Sequence, residues 1–244
     1  MDIADQIRRY WDEDAATYDQ APSHRPTSPG EVAAWSAALA RLLPPPPARV
    51  LDCGAGTGFL SLIAARLGHK VTALDISPRM LDKLRERAAA GGLGVDVVEA
   101  PAESPPPGPF DAVMERHLLW TLPDPPATLR AWRAVAPEGR LVLIEGVWGR
   151  ADRTEALRAK ARAMLSRARG ASADHHAAYD PALLSALPLG RGTTPSQVVE
   201  AVMASGWPDP WLERLHDIEW VTAVGLPLPE RLLGASPRFV VTAG

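Results

Sequence analysis

The segment from Arg49 to Asp75 limits the fold of this chain more than any other. An apolar run, Arg49–Cys53 (RVLDC), opens directly onto alternate glycines at Gly54, Gly56 and Gly58, then onto helical spacing through Leu67. A second apolar run, Lys70–Asp75 (KVTALD), follows at once. Strand, tight turn, helix, strand is the pattern of a parallel pair, because parallel strands need a long crossover between them. Runs that are apolar throughout, not alternating, belong to a sheet covered on both faces.

The alternation continues. Ser77 and Pro78 are a helix cap and first turn. Gly94–Glu99, Phe110–Met114 and Arg140–Glu145 read as three further strands, with a helix over Asp124–Val135. After a long irregular stretch come a helix over Ser196–Ser205 and closing strands at Trp211–Leu215 and Arg238–Thr242. The expected fold is α/β: a doubly wound, seven-stranded, mostly parallel sheet with helices on both faces.

Two segments stand outside that core. Residues 1–47 hold two helical patterns, on Ile3, Ile7, Tyr10 and Trp11 and on Val32, Trp35 and Leu39, closed by the stiff Pro44–Pro47 linker. Residues 148–195 interrupt the alternation with a helix over Thr154–Arg169 and a weaker one over Pro181–Leu187. On the first of these, Leu157, Ala161, Met164, Leu165 and Ala168 form an apolar stripe opposite a basic face. A segment this long between core elements is usually a lid. The expected division is therefore a lid of residues 1–47, a core of 48–147 and 196–244, and a cap of 148–195.

Composition narrows the function classes. The chain has 244 residues, a net charge of −3 and a single cysteine, so no internal disulfide forms. A reducing cytoplasm is the expected compartment, and no apolar run is long enough for a membrane span. The acidic balance and the lack of a nucleic-acid motif make nucleic acid an unlikely partner. His175 and His176 lack metal-ligand spacing, so no metal is expected.

The glycine turn carries the sharpest signal. At such a turn glycines admit close backbone approach, and the following helix N-terminus favours an anionic group. The dinucleotide fingerprint wants a further glycine where Phe59 stands. Instead Asp52-Cys53-Gly54-Ala55-Gly56-Thr57-Gly58 resembles the (D/E)-x-G-x-G-x-G motif of the class I S-adenosylmethionine-dependent methyltransferases. Asp75-x-Ser77-x-x-Met80-Leu81 is similar to that family's second motif, and Ala102-Glu103 to half of its third, with Pro101 in place of an aspartate. Phe110–Val113 and Pro137–Leu141 match it more loosely.

The resemblance implies S-adenosylmethionine as cofactor. Asp52, Gly54, Ala55, Gly56 and Gly58 would lie along its methionine end, Asp75 on the ribose, and Ile76, Met80, Ala102 and Glu103 around the adenine. Tyr18 belongs to an N-terminal segment that folds over the cofactor in small-molecule members. Arg116 would set its backbone against the cofactor or clamp an acceptor carboxylate. His117, just past the fourth strand, is the candidate general base, since a pKa near 6.5 suits proton transfer around neutrality. A plain hydrogen-bonding histidine is the alternative. Glu145, ending the fifth strand, either faces the acceptor or is simply solvated, while Trp120 and Trp148 either wall the acceptor site or pack in the core.

The expected activity is methyl transfer to a small-molecule acceptor in specialised or cofactor metabolism. A methyltransferase acting on RNA or protein is the first alternative, and a nicotinamide-dependent oxidoreductase the second. The acceptor and the oligomeric state are not fixed by these motifs.

Overall fold

A computed structural model describes residues 3–21, 24–26, 28–147, 153–168 and 179–244. Seven strands form one sheet: β1 (Arg49–Cys53), β2 (Lys70–Asp75), β3 (Val95–Glu99), β4 (Ala112–Arg116), β5 (Arg140–Gly146), β6 (Trp211–Arg214) and β7 (Arg238–Ala243). Their order is β3-β2-β1-β4-β5-β7-β6. The first five are parallel, and β7 runs antiparallel to both β5 and β6. The chain starts in the middle at β1, winds outward to β3 and returns to β4 on the other side. That reversal makes the carboxyl ends of β1 and β4 the place where such sheets bind ligands.

Ten helices surround or extend the sheet: α1 (Ile3–Asp14), α2 (Pro29–Leu42), α3 (Phe59–Arg66), α4 (Pro78–Ala90), α5 (Pro125–Val135), α6 (Arg153–Ala168), α7 (Pro181–Ala186), α8 (Pro195–Ala204), α9 (His216–Gly225) and α10 (Leu228–Leu233), counted among the described residues. Local chemistry sets several starts. Ser28 with Glu31, and Thr194 with Gln197, form reciprocal capping boxes before α2 and α8. The Ser77 and Asp124 side chains accept the first free amides of α4 and α5.

Successive strand residues point to opposite faces, and the core divides accordingly. Leu51, Cys53, Val113, Leu141 and Leu143 pack toward Leu129 and Trp132 of α5 and Val198 and Val202 of α8. Val50, Met114, Val142 and Ile144 pack toward Leu39 of α2 and Leu60 and Ile63 of α3. All nine of these strand residues are fully buried. This alternation also decides where the polar residues of the same strands go.

Three differences from the sequence reading have physical causes. The fourth strand runs two residues past the apolar stretch, because pairing with β5 continues through Glu115 and Arg116. The helices α9 and α10 have no legible apolar stripe, since Trp220, Val224, Leu228 and Leu232 all face outward. On α6, Leu157 and Met164 are exposed. The inward side instead holds Glu155 paired with Arg162, whose guanidinium also donates to the Gly234 carbonyl and the Ser236 hydroxyl. Polar tethering helps to dock that helix, with Ala161 and Leu165 half-buried. Trp148, His175 and His176 lie outside the described residues. Among the described residues, no helix is long and apolar enough to cross a membrane.

Candidate functional site

A cavity of about 900 Å³ opens at the carboxyl ends of β1, β2, β4 and β5. Its floor is the turn from β1 into α3. Gly54, Gly56 and Gly58 all have positive φ, which glycine adopts without a steric cost. They serve different ends. A side chain at Gly54 would strike Leu118, and one at Gly58 would strike Leu84, so these two allow packing. Around Gly56 nothing lies within 4 Å of where a Cβ would be, and the residue lines the cavity.

Asp75 closes β2 beside that turn. Its Oδ2 accepts the Gly56 amide at 2.8 Å and its Oδ1 the Ser77 amide at 2.8 Å. Each carboxylate oxygen keeps acceptor capacity toward the cavity. Burial raises its pKa to about 6, against the lowering effect of the Ser77 and Gly56 amides. A diol donating to both oxygens would favour the charged form again.

Tyr18, Gly54, Gly56, Asp75, Ile76, Met80, Ala102, Glu103, Arg116 and His117 all line this one cavity. Asp52, Ala55, Gly58 and Glu145 are not part of its wall. For Asp52 the cause is strand alternation: it shares a face with Val50 and points beneath α3. There its Oδ2 accepts the Ser61 hydroxyl at 2.5 Å, and burial raises its pKa to about 7. Ala55 packs against α4 with Leu81 and Leu84. Asp52, Ala55 and Gly58 thus shape the turn from behind.

Glu145 corrects a second expectation. It shares the face of Leu141 and Leu143 and is fully buried. Its Oε1 accepts the Leu119 amide at 3.3 Å, and its Oε2 lies 3.3 Å from His117 Nδ1. The carboxyl therefore meets the cavity only through the imidazole. Burial raises its pKa to about 8. Glu115 beside it is also raised, by burial and then by the Glu145 charge.

His117 itself adopts a left-handed backbone conformation, φ 60°, which is uncommon for any residue but glycine. This swings the ring out of the strand and over Gly146, where an added Cβ would come within 3.2 Å of the imidazole. About a third of the side chain (32%) is open to the cavity. Its pKa nonetheless falls well below the usual value, through burial and then the charges of Arg116, Arg238 and His24. Neutral imidazole is the resting form. The Arg116 guanidinium lies 4.0 Å from the Phe59 ring centre.

The roof comes from the flanking segments. Tyr10 and Trp11 of α1, Trp120 after β4, and Tyr179 and Leu184 line the cavity from above. Tyr10 stacks on Tyr179 at 3.7 Å, and Trp11 meets Trp120 edge-on at 6.5 Å. Asp12 receives the Ser77 hydroxyl at 2.6 Å, which fixes α1 to the start of α4. Sequence reasoning assigned Arg238 only to a closing strand, yet its guanidinium reaches the cavity. A basic residue opening an antiparallel strand carries no local signal of that placement. Among the described residues, no group of three or more His, Cys, Asp or Glu is placed to hold a metal ion.

The arrangement fits a nucleoside with a zwitterionic tail: an open track over Gly56, a diol acceptor at Asp75, and an apolar slot at Ile76, Met80 and Ala102. Fold and site together fit the class I S-adenosylmethionine-dependent methyltransferases, and residues 51–143 match the family model of a methyltransferase domain.

Named relatives agree with this. The chain is 38% identical over 141 residues to a ubiquinone biosynthesis O-methyltransferase of Xanthomonas axonopodis pv. citri, covering 55% of each. It is 41% identical over 102 residues to that of Xanthomonas euvesicatoria pv. vesicatoria, covering 39% of this chain and 42% of the relative. The chain thus spans about half the length, or less, of these curated relatives. Among solved structures, a SAM-dependent methyltransferase from Aquifex aeolicus superposes with TM-score 0.60 at 15% identity, covering 94% of this chain and 97% of that one. A magnesium protoporphyrin IX methyltransferase from Synechocystis, solved with bound SAM, gives TM-score 0.60 at 15% identity, covering 100% of this chain and 98% of that one. These two share the fold.

Proposed function

We propose that this chain binds S-adenosylmethionine in the cavity and transfers its methyl group to a small-molecule acceptor. The observation that carries this reading is the pairing of the open track over Gly56 with the outward acceptor capacity of Asp75, 2.8 Å from the Gly56 amide. When bound, the cofactor supplies an electrophilic methyl group on a sulfonium sulfur. The chain's own residues position and enclose. Asp75 holds the ribose, and Ile76 and Met80 pack on the base. Tyr18 and the α1 aromatics exclude water, and His117 takes a proton from the acceptor where one must leave. Positioning alone accounts for up to roughly 7–11 kcal/mol of barrier in such bimolecular reactions.

A small acceptor is favoured over RNA or protein because the cavity is roofed by α1 and Tyr179. Its volume of about 900 Å³ lies near the upper end for ligand pockets, leaving room for a second small molecule. The likeness to ubiquinone biosynthesis O-methyltransferases supports an acceptor from cofactor or specialised metabolism. Cytoplasmic residence is part of the same proposal and rests on the lone, buried Cys53.

Calorimetric titration tests the reading. S-adenosylmethionine and S-adenosylhomocysteine are expected to bind, and NAD and NADP to give no heat. Binding of a nicotinamide nucleotide without either sulfur ligand would overturn it.

A further inference from the structure

We propose that Arg238 is an anion anchor for the methyl acceptor, so that the acceptor class is a small aromatic acid whose carboxylate pairs with this guanidinium. The inference rests on the methyltransferase reading and adds a substrate class to it.

Arg238 opens β7, which lies antiparallel beside β5, and so its side chain reaches the cavity from the side opposite the glycine turn. The guanidinium has no carboxylate partner among the described residues. Among the described residues its side-chain polar contact is the 3.4 Å approach of Nη1 to His117 Nε2, and the Trp35 ring centre lies 5.9 Å away. Glu219, the acid that meets the Arg238 backbone, is otherwise engaged. It holds Arg214 through two guanidinium nitrogens at 2.8 Å and accepts the Arg238 backbone amide, not its side chain. Burial and the Arg116 charge press on Arg238, lowering its pKa to about 10. Glu219 and Glu31 act on it only from a distance. This half-buried cation, without a carboxylate in ion-pair contact among the described residues and facing a ligand cavity beside a neutral imidazole, is a site for an anion. Arginine's planar fork suits a carboxylate bidentately.

The aromatic half of the proposal comes from the rest of the wall. Tyr10, Trp11, Trp120 and Tyr179 form a connected set of ring contacts over the same cavity. Flat, apolar walls with one fixed cation match a flat, apolar body with one fixed anion. Pairing with the acceptor would also draw the guanidinium off His117 Nε2. The present 3.4 Å contact is at the long limit of a hydrogen bond, so little is lost in the exchange.

The test uses protein saturated with S-adenosylhomocysteine and two matched pairs of probes, benzoate with benzamide and salicylate with salicylamide. Each acid is expected to bind at least tenfold tighter than its amide. Arg238→Met should reduce that preference below threefold, Arg238→Lys should restore part of it, and S-adenosylhomocysteine affinity should stay within twofold throughout. Nitrogen NMR of the His117 ring should shift on adding benzoate to the wild-type protein and stay still in Arg238→Met. Equal binding of acids and amides by the wild-type protein overturns the proposal. So does an acid preference that survives Arg238→Met and is lost in Arg116→Met, which would make Arg116 the anchor. A protein that does not bind S-adenosylhomocysteine removes the methyltransferase reading instead, and that outcome is seen before any acid is added.

Discussion

Asp19 receives the hydroxyl of Thr57 at 2.8 Å, joining the N-terminal roof to the glycine turn. Arg87 of α4 completes the junction: its Nη1 donates to the Thr57 carbonyl at 2.9 Å and lies 3.4 Å from the Asp19 carboxylate. The residues that cover the cavity are thus tied to the loop that forms its floor.

This tie predicts how the roof moves. Asp19→Ala should speed hydrogen exchange over Ile3 to Tyr18 and weaken S-adenosylhomocysteine binding about fivefold. That figure, about 1 kcal/mol, lies below the range of about 1.5–3 kcal/mol for a hydrogen bond to a charged group, because Asp19 is partly solvated. Ligand should slow exchange in the same segment of the wild-type protein. Unchanged exchange in the variant would show that apolar contacts of Ile7 and Trp11 hold the roof alone.

At the floor, Asp75→Ala should weaken cofactor binding tenfold or more, since a hydrogen bond to a charged group contributes about 1.5–3 kcal/mol. Asp75→Asn should lose less, because one oxygen still accepts the Gly56 amide. Gly56→Val should abolish binding for two reasons, a filled track and a positive φ of 54° that valine tolerates poorly. Calorimetry distinguishes the three. Unaltered affinity in Asp75→Ala would remove the diol role from this carboxylate.

The buried acids predict a pH dependence of stability. Glu145, with a pKa raised to about 8, and Asp52, raised to about 7, both keep their protons longer in the folded state than in the unfolded chain. A raised folded pKa contributes stability that is complete below the unfolded value and lost as pH climbs through the folded one. Unliganded protein should therefore lose stability as pH rises from about 4.5 toward 8, by up to about 1 kcal/mol per pH unit for each group, the Asp52 share ending near pH 7 and the Glu145 share near pH 8. The lowered pKa of His117 acts in the opposite sense below its ordinary value, so the Glu145 decline is read most cleanly between about pH 6.5 and 8. Glu145→Gln should flatten the decline in denaturant melts. A decline of equal slope in that variant would assign it elsewhere.

How far the site was legible in the sequence follows from where each signal resides. The shared cavity wall of Gly54, Gly56, Asp75 and Met80 was legible because their placement depends on spacing within one strand–turn–helix unit. Asp52 was placed on the wrong side, although RVLDC already contained the answer: residues two apart share a face, and Val50 packs under α3. Glu145 went the same way, following Leu143. Arg238 and the Asp19–Thr57–Arg87 junction were not legible, since they join segments far apart in the chain that only the folded sheet brings together. The helix α9 was hidden because apolar residues stand on more than one of its sides, Ile218 buried and Trp220 and Val224 exposed, which blurs the helical period.

The last prediction concerns the His117–Glu145 pair. His117 Nδ1 faces a carboxyl that stays protonated to about pH 8, and Nε2 faces Arg238. While Glu145 holds its proton it donates to Nδ1 and the ring hydrogen sits on Nε2, which then has no lone pair to offer. The 3.4 Å approach of Arg238 Nη1 is in that state a contact between two donors and not a hydrogen bond. Once Glu145 ionises it accepts from Nδ1–H, and Nε2 becomes a proton acceptor whose imidazolium the carboxylate stabilises. Glu145 is then a positioning residue that sets the tautomer. If the acceptor must lose a proton, turnover should rise with pH toward a plateau above about pH 8, and His117→Gln should cost at least a hundredfold, within the 10²–10⁴ range of general-base catalysis. Glu145→Gln should abolish the rising limb while leaving S-adenosylhomocysteine affinity within twofold. Ring-nitrogen NMR of His117 should show the tautomer exchange near the same pH in the wild-type protein only. Turnover within fivefold of wild type in His117→Gln, with the limb intact, would mean that the acceptor arrives already ionised and that alignment in the cavity suffices.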